Sequence, residues 1–122
     1  MIIINIKDVE TIESTDEIVA KDKGKVTRQL LLDPKMTGGF GLVMVHFSPG
    51  ARLNFHTHSG EQILYITEGK GIVATEKEEY VVTPGSVVYI PPGEVHWHGA
   101  TNENSCSHIA LYKGETKLAS SS

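Results

Sequence analysis

The chain has 122 residues, 39% of them hydrophobic, which suffices for one domain with its own core but not for two. The formal net charge of −4 and the lack of a basic cluster argue against nucleic-acid binding, which rests on basic contacts to phosphates. No apolar run approaches the roughly 20 residues of a membrane span, so no membrane partner is expected. The single cysteine, Cys106, cannot form an internal disulfide, and we therefore expect a cytoplasmic protein.

The N-terminal residues 1–25 are predicted to form a strand or extension that precedes the main fold. Residues 2–6 are isoleucines interrupted by one asparagine, a composition that favours a strand. Such a strand has no obvious partner within one small domain, and an unpaired edge strand needs cover. We therefore expect a homodimer in which the N-terminal strands contribute to the interface.

From residue 26 onward, short β-branched runs alternate with breaks that contain proline or glycine, at intervals of roughly 8–12 residues. Each break supplies a fixed or a positive φ where the chain must reverse. The fold class is therefore predicted to be all-β, an antiparallel β-barrel or jelly roll in residues 26–115. Residues 116–122 are mostly small and polar and are predicted to be a flexible tail. The predicted strands are 26–32, 40–47, 63–67, 71–75, 79–82, 87–90 and 108–112.

Histidines are concentrated in two His-x-His pairs, His56 with His58 and His96 with His98, and in the last predicted strand, which begins at His108. Residues i and i+2 of a strand point to the same face, so each pair presents two imidazoles to one side of a sheet. Converging imidazoles are typical ligands of a single divalent metal ion. The sixth histidine, His46, lacks such a partner and is predicted to be structural.

Two neighbouring residues compete as a fourth metal ligand. Gln62 has the same strand parity as His56 and His58, whereas Glu61 would point to the opposite face of a regular strand. A carboxylate, however, binds a hard cation better than an amide does, and a bend at Ser59-Gly60 can break the parity. A barrel interior with hydrogen-bonded histidines and no metal is the alternative to any ligand set, although it would need many polar partners.

Glycines, prolines and histidines recur at fixed spacings in two segments. The first runs G-x5-H-x-H-x3-Q-x6-G from residue 50 to 69, and the second runs G-x5-P-x-G-x2-H from residue 85 to 96. They resemble the two motifs of the cupin superfamily, G-x5-H-x-H-x3,4-E-x6-G and G-x5-P-x-G-x2-H-x3-N. Gln62 stands in place of the glutamate and Ala100 in place of the asparagine. The resemblance implies the cupin barrel, a double-stranded β-helix.

The glutamine variant, with its His-Thr-His and His-Trp-His sequences and a downstream histidine, is similar to one subgroup of this family. That subgroup is the small single-domain bacterial cupins that include manganese-dependent hydroxynitrile lyases and carboxymuconolactone decarboxylase-associated cupins. The resemblance implies a metal ion held by two histidines and the glutamine of the first motif and by a histidine of the second. In this sequence these ligands are His56, His58, Gln62 and His96. The resemblance also implies that His98 and His108 lie near the metal.

Three neutral imidazoles and a neutral amide would leave the full 2+ charge on one bound divalent ion. Such an ion is a stronger Lewis acid than one with a carboxylate ligand, and it lowers the pKa of a coordinated hydroxyl or water. Manganese or iron is favoured as the cofactor over nickel or zinc. His108 or His98 would act as the catalytic acid–base, because imidazole titrates near neutral pH.

The predicted function is therefore an enzyme of the lyase type that acts on a small hydroxylated or carbonyl substrate. Two other hypotheses stay open: a dioxygenase that uses O2, and a non-catalytic module that binds a metal or a small molecule. Loss of activity without air would distinguish the dioxygenase from the lyase. The fold and ligand set do not identify the substrate, since many chemistries share them.

Overall fold

The strands form two antiparallel sheets that face each other, and buried side chains alternate with exposed ones where a strand covers the interior, as in residues 62–66. The computed structural model describes residues 1–119. Its first sheet has six strands in the order β1-β2-β3-β10-β5-β8. These are β1 (Ile12–Glu13), β2 (Val26–Leu32), β3 (Phe40–Phe47), β5 (Gln62–Gly69), β8 (Val87–Ile90) and β10 (Cys106–Lys113).

The second sheet has five strands in the order β11-β4-β9-β6-β7. These are β4 (His56–His58), β6 (Gly71–Thr75), β7 (Glu79–Val82), β9 (His96–Ala100) and β11 (Thr116–Leu118). Apolar side chains from both sheets form one core between them, including Phe47, Leu64, Ile66, Val73 and Ile90. The arrangement is the predicted jelly roll. Among residues 1–119, no helix is long and apolar enough to span a membrane.

Five of the seven predicted strands have the predicted bounds: β2, β3, β6, β7 and β8. The other two, β5 and β10, extend by one to two residues at each end of the predicted run, because they lie next to each other near the middle of the six-stranded sheet. Gly69 ends β5 with a φ of +79°, and a Cβ there would lie 1.9 Å from the carbonyl oxygen of Ser105. The first motif therefore closes on a glycine because no other residue fits so close to that carbonyl.

The prediction of a strand at residues 2–6 is wrong. The Asn5 side chain accepts a hydrogen bond from the Lys7 amide and starts a 3-10 turn at Ile6–Asp8 instead. Gln29 Nε2 holds this turn by donating to the carbonyl oxygens of Ile6 and Val9, at 2.8 and 3.0 Å. The edge of β2 is paired by Ile12–Glu13 rather than by the first isoleucines, of which Ile3 is 88% exposed. The homodimer stays a prediction.

The prediction of a flexible tail from residue 116 is wrong for Thr116–Leu118, which form β11. Their backbone pairs in antiparallel register with β4, so that Thr116 lies opposite His58 and Leu118 opposite His56. The polar composition of this segment did not predict a strand, because β11 is ordered by backbone hydrogen bonds rather than by buried side chains. Residues 120–122 of the predicted tail lie outside the described residues.

Strand register brings the histidine-bearing strands to one region between the sheets. His56 on β4 lies opposite His96 on β9 in the five-stranded sheet. In the six-stranded sheet, β10 lies between β3 and β5, so that His108 neighbours Val45 on one side and Ile66 on the other. The five-stranded sheet thus supplies four histidines, and the six-stranded sheet supplies Gln62 and His108.

Candidate metal centre

Three buried imidazoles converge inside the barrel, from His56, His58 and His96. One ring nitrogen of each lies within 4.8 Å of the corresponding nitrogens of the other two. All three side chains are buried, with exposed fractions of 0%, 7% and 1%. A cluster of three buried imidazoles at this spacing can hold a divalent metal ion.

Hydrogen bonds at Nδ1 orient two of these rings. His56 Nδ1 donates to the carbonyl oxygen of Asn54 at 2.7 Å, and His96 Nδ1 donates to that of Glu94 at 2.9 Å. A carbonyl oxygen can only accept, so the proton of each neutral ring is on Nδ1 and the lone pair is on Nε2. This is the tautomer in which Nε2 binds a metal ion. His58 Nδ1 lies 2.9 Å from Thr116 Oγ1, which can play the same role.

The Nε2 atoms of the three histidines are buried without any hydrogen-bond partner among the described residues. The side-chain oxygen of Gln62 is buried in the same unpartnered state. Buried polar atoms are almost always hydrogen-bonded, and leaving one unpaired costs about 1–3 kcal/mol. The three Nε2 atoms belong to one cluster, Gln62 lines the same cavity as His56 and His58, and a cation would satisfy donors of this kind.

Gln62 and Glu61 face in opposite directions, as their strand parity predicts. Gln62 begins β5, is 5% exposed and lines the interior cavity beside His58. Glu61 is exposed, and its carboxylate accepts a hydrogen bond from the hydroxyl of Tyr89. The bend before β5 thus leaves the parity intact, and of these two donors only the amide faces the histidine cluster.

Burial keeps the histidine cluster in the neutral form. Desolvation lowers the pKa of His56 to about 3, with a smaller lowering by the charges of His96 and His58. Burial likewise lowers the pKa of His58 to about 4, and it lowers the pKa of His96. Imidazoles that remain neutral at physiological pH offer their lone pairs to a metal ion without first losing a proton.

His98 and His108 form a second histidine pair beside the first cluster. His98 Nδ1 lies 3.0 Å from His108 Nε2, and both side chains are buried. The His98 ring is 5.5 Å from that of His56 between centroids, and Phe47 packs 5.5 Å from the ring of His108. Burial lowers the pKa of His108 to about 4 and holds the pKa of His98 well below its usual value. Both predicted acid–base residues therefore lie inside the barrel as neutral rings.

The cavity that reaches these histidines has a volume of about 390 Å³. Its walls are mainly apolar, and five polar residues that sequence reasoning missed also line it. Strand parity on β2 could have indicated one of them, Arg28, because it has the same parity as the apolar residues Val26 and Leu30. His46, predicted to be structural, is not among the lining residues and is hydrogen-bonded to Gln29 and Ser107 instead. The five polar residues are Ser14, Asp16, Arg28, Tyr112 and Thr116.

Two facing antiparallel sheets around a buried histidine cluster define a jelly-roll barrel with a candidate metal centre. The model of the cupin domain family matches residues 43–112, a range that contains both histidine motifs and His108. The chain therefore belongs to the cupin family, as its two motifs predict.

Among curated proteins, an (R)-mandelonitrile lyase of Granulicella tundricola is 42% identical over 82 residues, which are 65% of this chain and 59% of that protein. An uncharacterised protein of Methanocaldococcus jannaschii is 33% identical over 81 residues, 64% of this chain and 63% of its own length. The chain thus spans about three fifths of the length of these relatives.

Two solved structures have the same fold. A cupin-like protein of Thermotoga maritima is 30% identical, with a TM-score of 0.81 over 88% of this chain and 83% of that one. A polyketide cyclase of Streptomyces resistomycificus is 23% identical, with a TM-score of 0.78 over 100% of this chain and 87% of that one. At that identity the second structure supports the fold alone.

Acidification is expected to destabilise the metal-free protein as the pH falls from about 6.5 towards 4. Below their usual pKa of 6.5, the histidines of the unfolded chain bind protons, whereas His56, His58 and His108 in the folded protein stay neutral down to about 3 to 4. The stabilisation that is present above pH 6.5 is therefore lost across this window. Urea unfolding of chelator-treated protein at about pH 7.5 and about pH 5 measures the difference.

Replacing His56, His58 or His108 should reduce this dependence of the free energy of unfolding on pH. His108→Phe is the informative variant, because it removes a buried titrating ring and leaves the three-histidine cluster in place. An equal free energy of unfolding at the two pH values in the unmodified protein would contradict the argument.

Proposed function

We propose that the protein is a metal-dependent enzyme of the lyase type that acts on a small hydroxylated or carbonyl compound. The observation that carries this proposal is the set of unpartnered buried donors, the Nε2 atoms of His56, His58 and His96 and the side-chain oxygen of Gln62. The similarity to a protein named (R)-mandelonitrile lyase supports the reaction class.

The proposed ligands are those three histidines and Gln62. All four donors are neutral, so a bound divalent cation would keep its full charge and act as a Lewis acid on a substrate oxygen. We propose manganese or iron, since imidazole suits iron and an amide carbonyl oxygen suits manganese. Glu61 is not proposed as a ligand, because its carboxylate is exposed and bonded to Tyr89.

His108 is the proposed acid–base residue. Its Nδ1 is buried without a partner among residues 1–119, and the residue lines the cavity beside His98. If His108 Nε2 donates its proton to His98 Nδ1, the lone pair of His108 is on Nδ1 and can accept a proton from the substrate. In this arrangement His98 sets the tautomer of His108.

Cleavage of a cyanohydrin illustrates the proton transfer. The hydroxyl proton of the substrate passes to His108 Nδ1, the C–C bond to the nitrile breaks, and its electron pair leaves with cyanide. The oxygen becomes the carbonyl of the product, and the protonated His108 returns the proton to cyanide. Burial disfavours the charged imidazole, which favours prompt return of the proton.

Alanine variants test the proposed ligands. His56→Ala, His58→Ala and His96→Ala should each abolish stoichiometric metal, because each removes one of three strong donors. Gln62→Ala should weaken binding less, since an amide oxygen is the poorest donor of the four. Glu61→Ala is the matched control and should keep full metal content, as measured by elemental analysis of protein purified without added metal. Loss of metal in Glu61→Ala but not in Gln62→Ala would refute the ligand set.

Release of benzaldehyde from (R)-mandelonitrile tests the proposed reaction. The protein should release benzaldehyde as purified, lose this activity after treatment with a chelator and regain it with manganese or iron. Activity should persist without air, because no oxidant takes part in the cleavage. A metal-loaded protein that releases no benzaldehyde would exclude cyanohydrin cleavage, and a requirement for O2 would favour a dioxygenase instead.

His108→Ala separates catalysis from metal binding. Positioned acid–base catalysis contributes roughly 10²–10⁴-fold, so turnover should fall by about that factor while the metal content stays unchanged. His46→Ala is the matched control, since it removes an imidazole that does not line the cavity. Retained turnover in His108→Ala would dismiss the residue as the acid–base, and lost metal would make it a support of the metal site.

A further inference from the structure

Arg28 lies on the wall of the cavity that leads to the histidines. It lies on the same face of β2 as Val26 and Leu30, and all three side chains line this cavity. Across the sheet, Arg28 lies opposite Val45, which in turn lies opposite His108. Since neighbouring strands are about 4.8 Å apart, the backbone of Arg28 is about 10 Å from that of His108.

The guanidinium of Arg28 has no carboxylate partner among residues 1–119. The one ion pair in that part of the chain joins Lys25 to Glu13 at the surface, and no acidic oxygen lies within 4 Å of Arg28. Its Nη1 donates to Ser14 Oγ at 3.0 Å. A half-buried arginine normally pairs with a carboxylate or phosphate, because a guanidinium has five donors in a planar fork. Most of this donor capacity remains available to a molecule in the cavity.

Asp16 also lines the cavity but does not neutralise Arg28. Its Oδ1 accepts a hydrogen bond from the amide of Ile18 at 3.0 Å, so this carboxylate serves the turn that contains it. Asp16 is exposed to solvent, where its charge is screened, whereas Arg28 is half-buried. Arg28 is therefore the one charged side chain among the half-buried residues that line the cavity, while the carboxylate of Asp33, outside this lining, acts on Tyr112.

Tyr112 lines the same cavity, and its ring packs over Gly41 on the neighbouring strand. On the neighbouring strand Gly41 lies opposite Tyr112, and a Cβ at Gly41 would come within 2.3 Å of the Tyr112 ring. The ring therefore occupies the space that a side chain at Gly41 would need. Tyr112 and Ser14 add two hydroxyl groups to the polar lining, and a hydroxyl can donate to an anion.

We propose that Arg28 is the centre of an anion-binding subsite, and that the protein acts on a small hydroxylated or carbonyl compound with a carboxylate at its far end. The histidine end of the cavity receives the oxygen that reacts, and Arg28 receives the carboxylate, with Ser14 in hydrogen-bond contact. The apolar wall between them, which includes Val43, Val45 and Ala110, suits a hydrocarbon chain or ring. The substrate class rests on the proposed function, but the subsite itself does not.

Binding of a matched pair of probes to the protein tests the subsite. The pair is 6-hydroxyhexanoate and hexane-1,6-diol, which differ only in whether one end is a carboxylate. Isothermal titration calorimetry measures both affinities in metal-free and in manganese-loaded protein. We expect the hydroxy acid to bind more tightly than the diol in both forms.

Arg28→Gln should weaken binding of 6-hydroxyhexanoate by about tenfold or more and leave binding of the diol unchanged, because it removes a charge-assisted hydrogen bond. Lys25→Gln is the matched control, since it removes the same charge from the same region outside the cavity, and it should change neither affinity. Arg28→Lys should give an intermediate affinity, because it keeps the charge but loses the planar fork. Thermal unfolding of each variant checks that it folds.

Unchanged binding of the hydroxy acid to Arg28→Gln would overturn the proposal, as would equal affinities of the two probes or no binding of the hydroxy acid at all. If 6-hydroxyhexanoate binds only in the presence of manganese and its affinity is the same in Arg28→Gln, its carboxylate binds the metal instead. The metal-free measurements depend neither on a bound cation nor on turnover. Failure of the proposed metal chemistry therefore leaves this result interpretable by itself.

Discussion

A buried imidazole has two ring nitrogens, and the packing around His56 and His96 provides a partner for only one of them. The carbonyl groups of Asn54 and Glu94 accept the Nδ1 hydrogen bond of each ring, while each Nε2 has no hydrogen-bond partner in the described part of the chain. Burial also disfavours protonation of these nitrogens, so they stay lone-pair donors. Among the described residues the protein therefore supplies no partner for these lone pairs, and a bound cation would satisfy them.

The two sheets contribute different halves of the candidate site. The five-stranded sheet holds the three-histidine cluster and His98, and the six-stranded sheet holds Gln62 and His108. The His98–His108 contact of 3.0 Å joins the halves, and Phe47 packs against both rings. Because interiors are close-packed, the apolar core sets the distance between the sheets and with it the geometry of the site.

Local signals in the sequence predicted the strands and the histidine cluster well. Proline and glycine mark the turns, and the period of two along a strand separates Gln62 from Glu61 without knowledge of any neighbour. Pairings between distant segments were not predictable in this way. A hydrogen bond from Gln29 holds the turn that begins at Ile6 in place of a strand, and pairing with β4 orders Thr116–Leu118. Arg28 was missed for the same reason, since its position near the histidines depends on the register of β2 with β3 and β10.

The contact of Thr116 with His58 joins residues that are 58 positions apart in the chain. The strand that carries two of the clustered histidines is thus flanked by a segment that is synthesised long after it. While a ribosome makes this protein, His58 emerges before β11, but its contact with Thr116 forms only after β11 has left the exit tunnel and paired with β4. A cation captured before that moment would meet a looser set of donors. The final spacing of these donors therefore depends on a pairing between segments far apart in the chain.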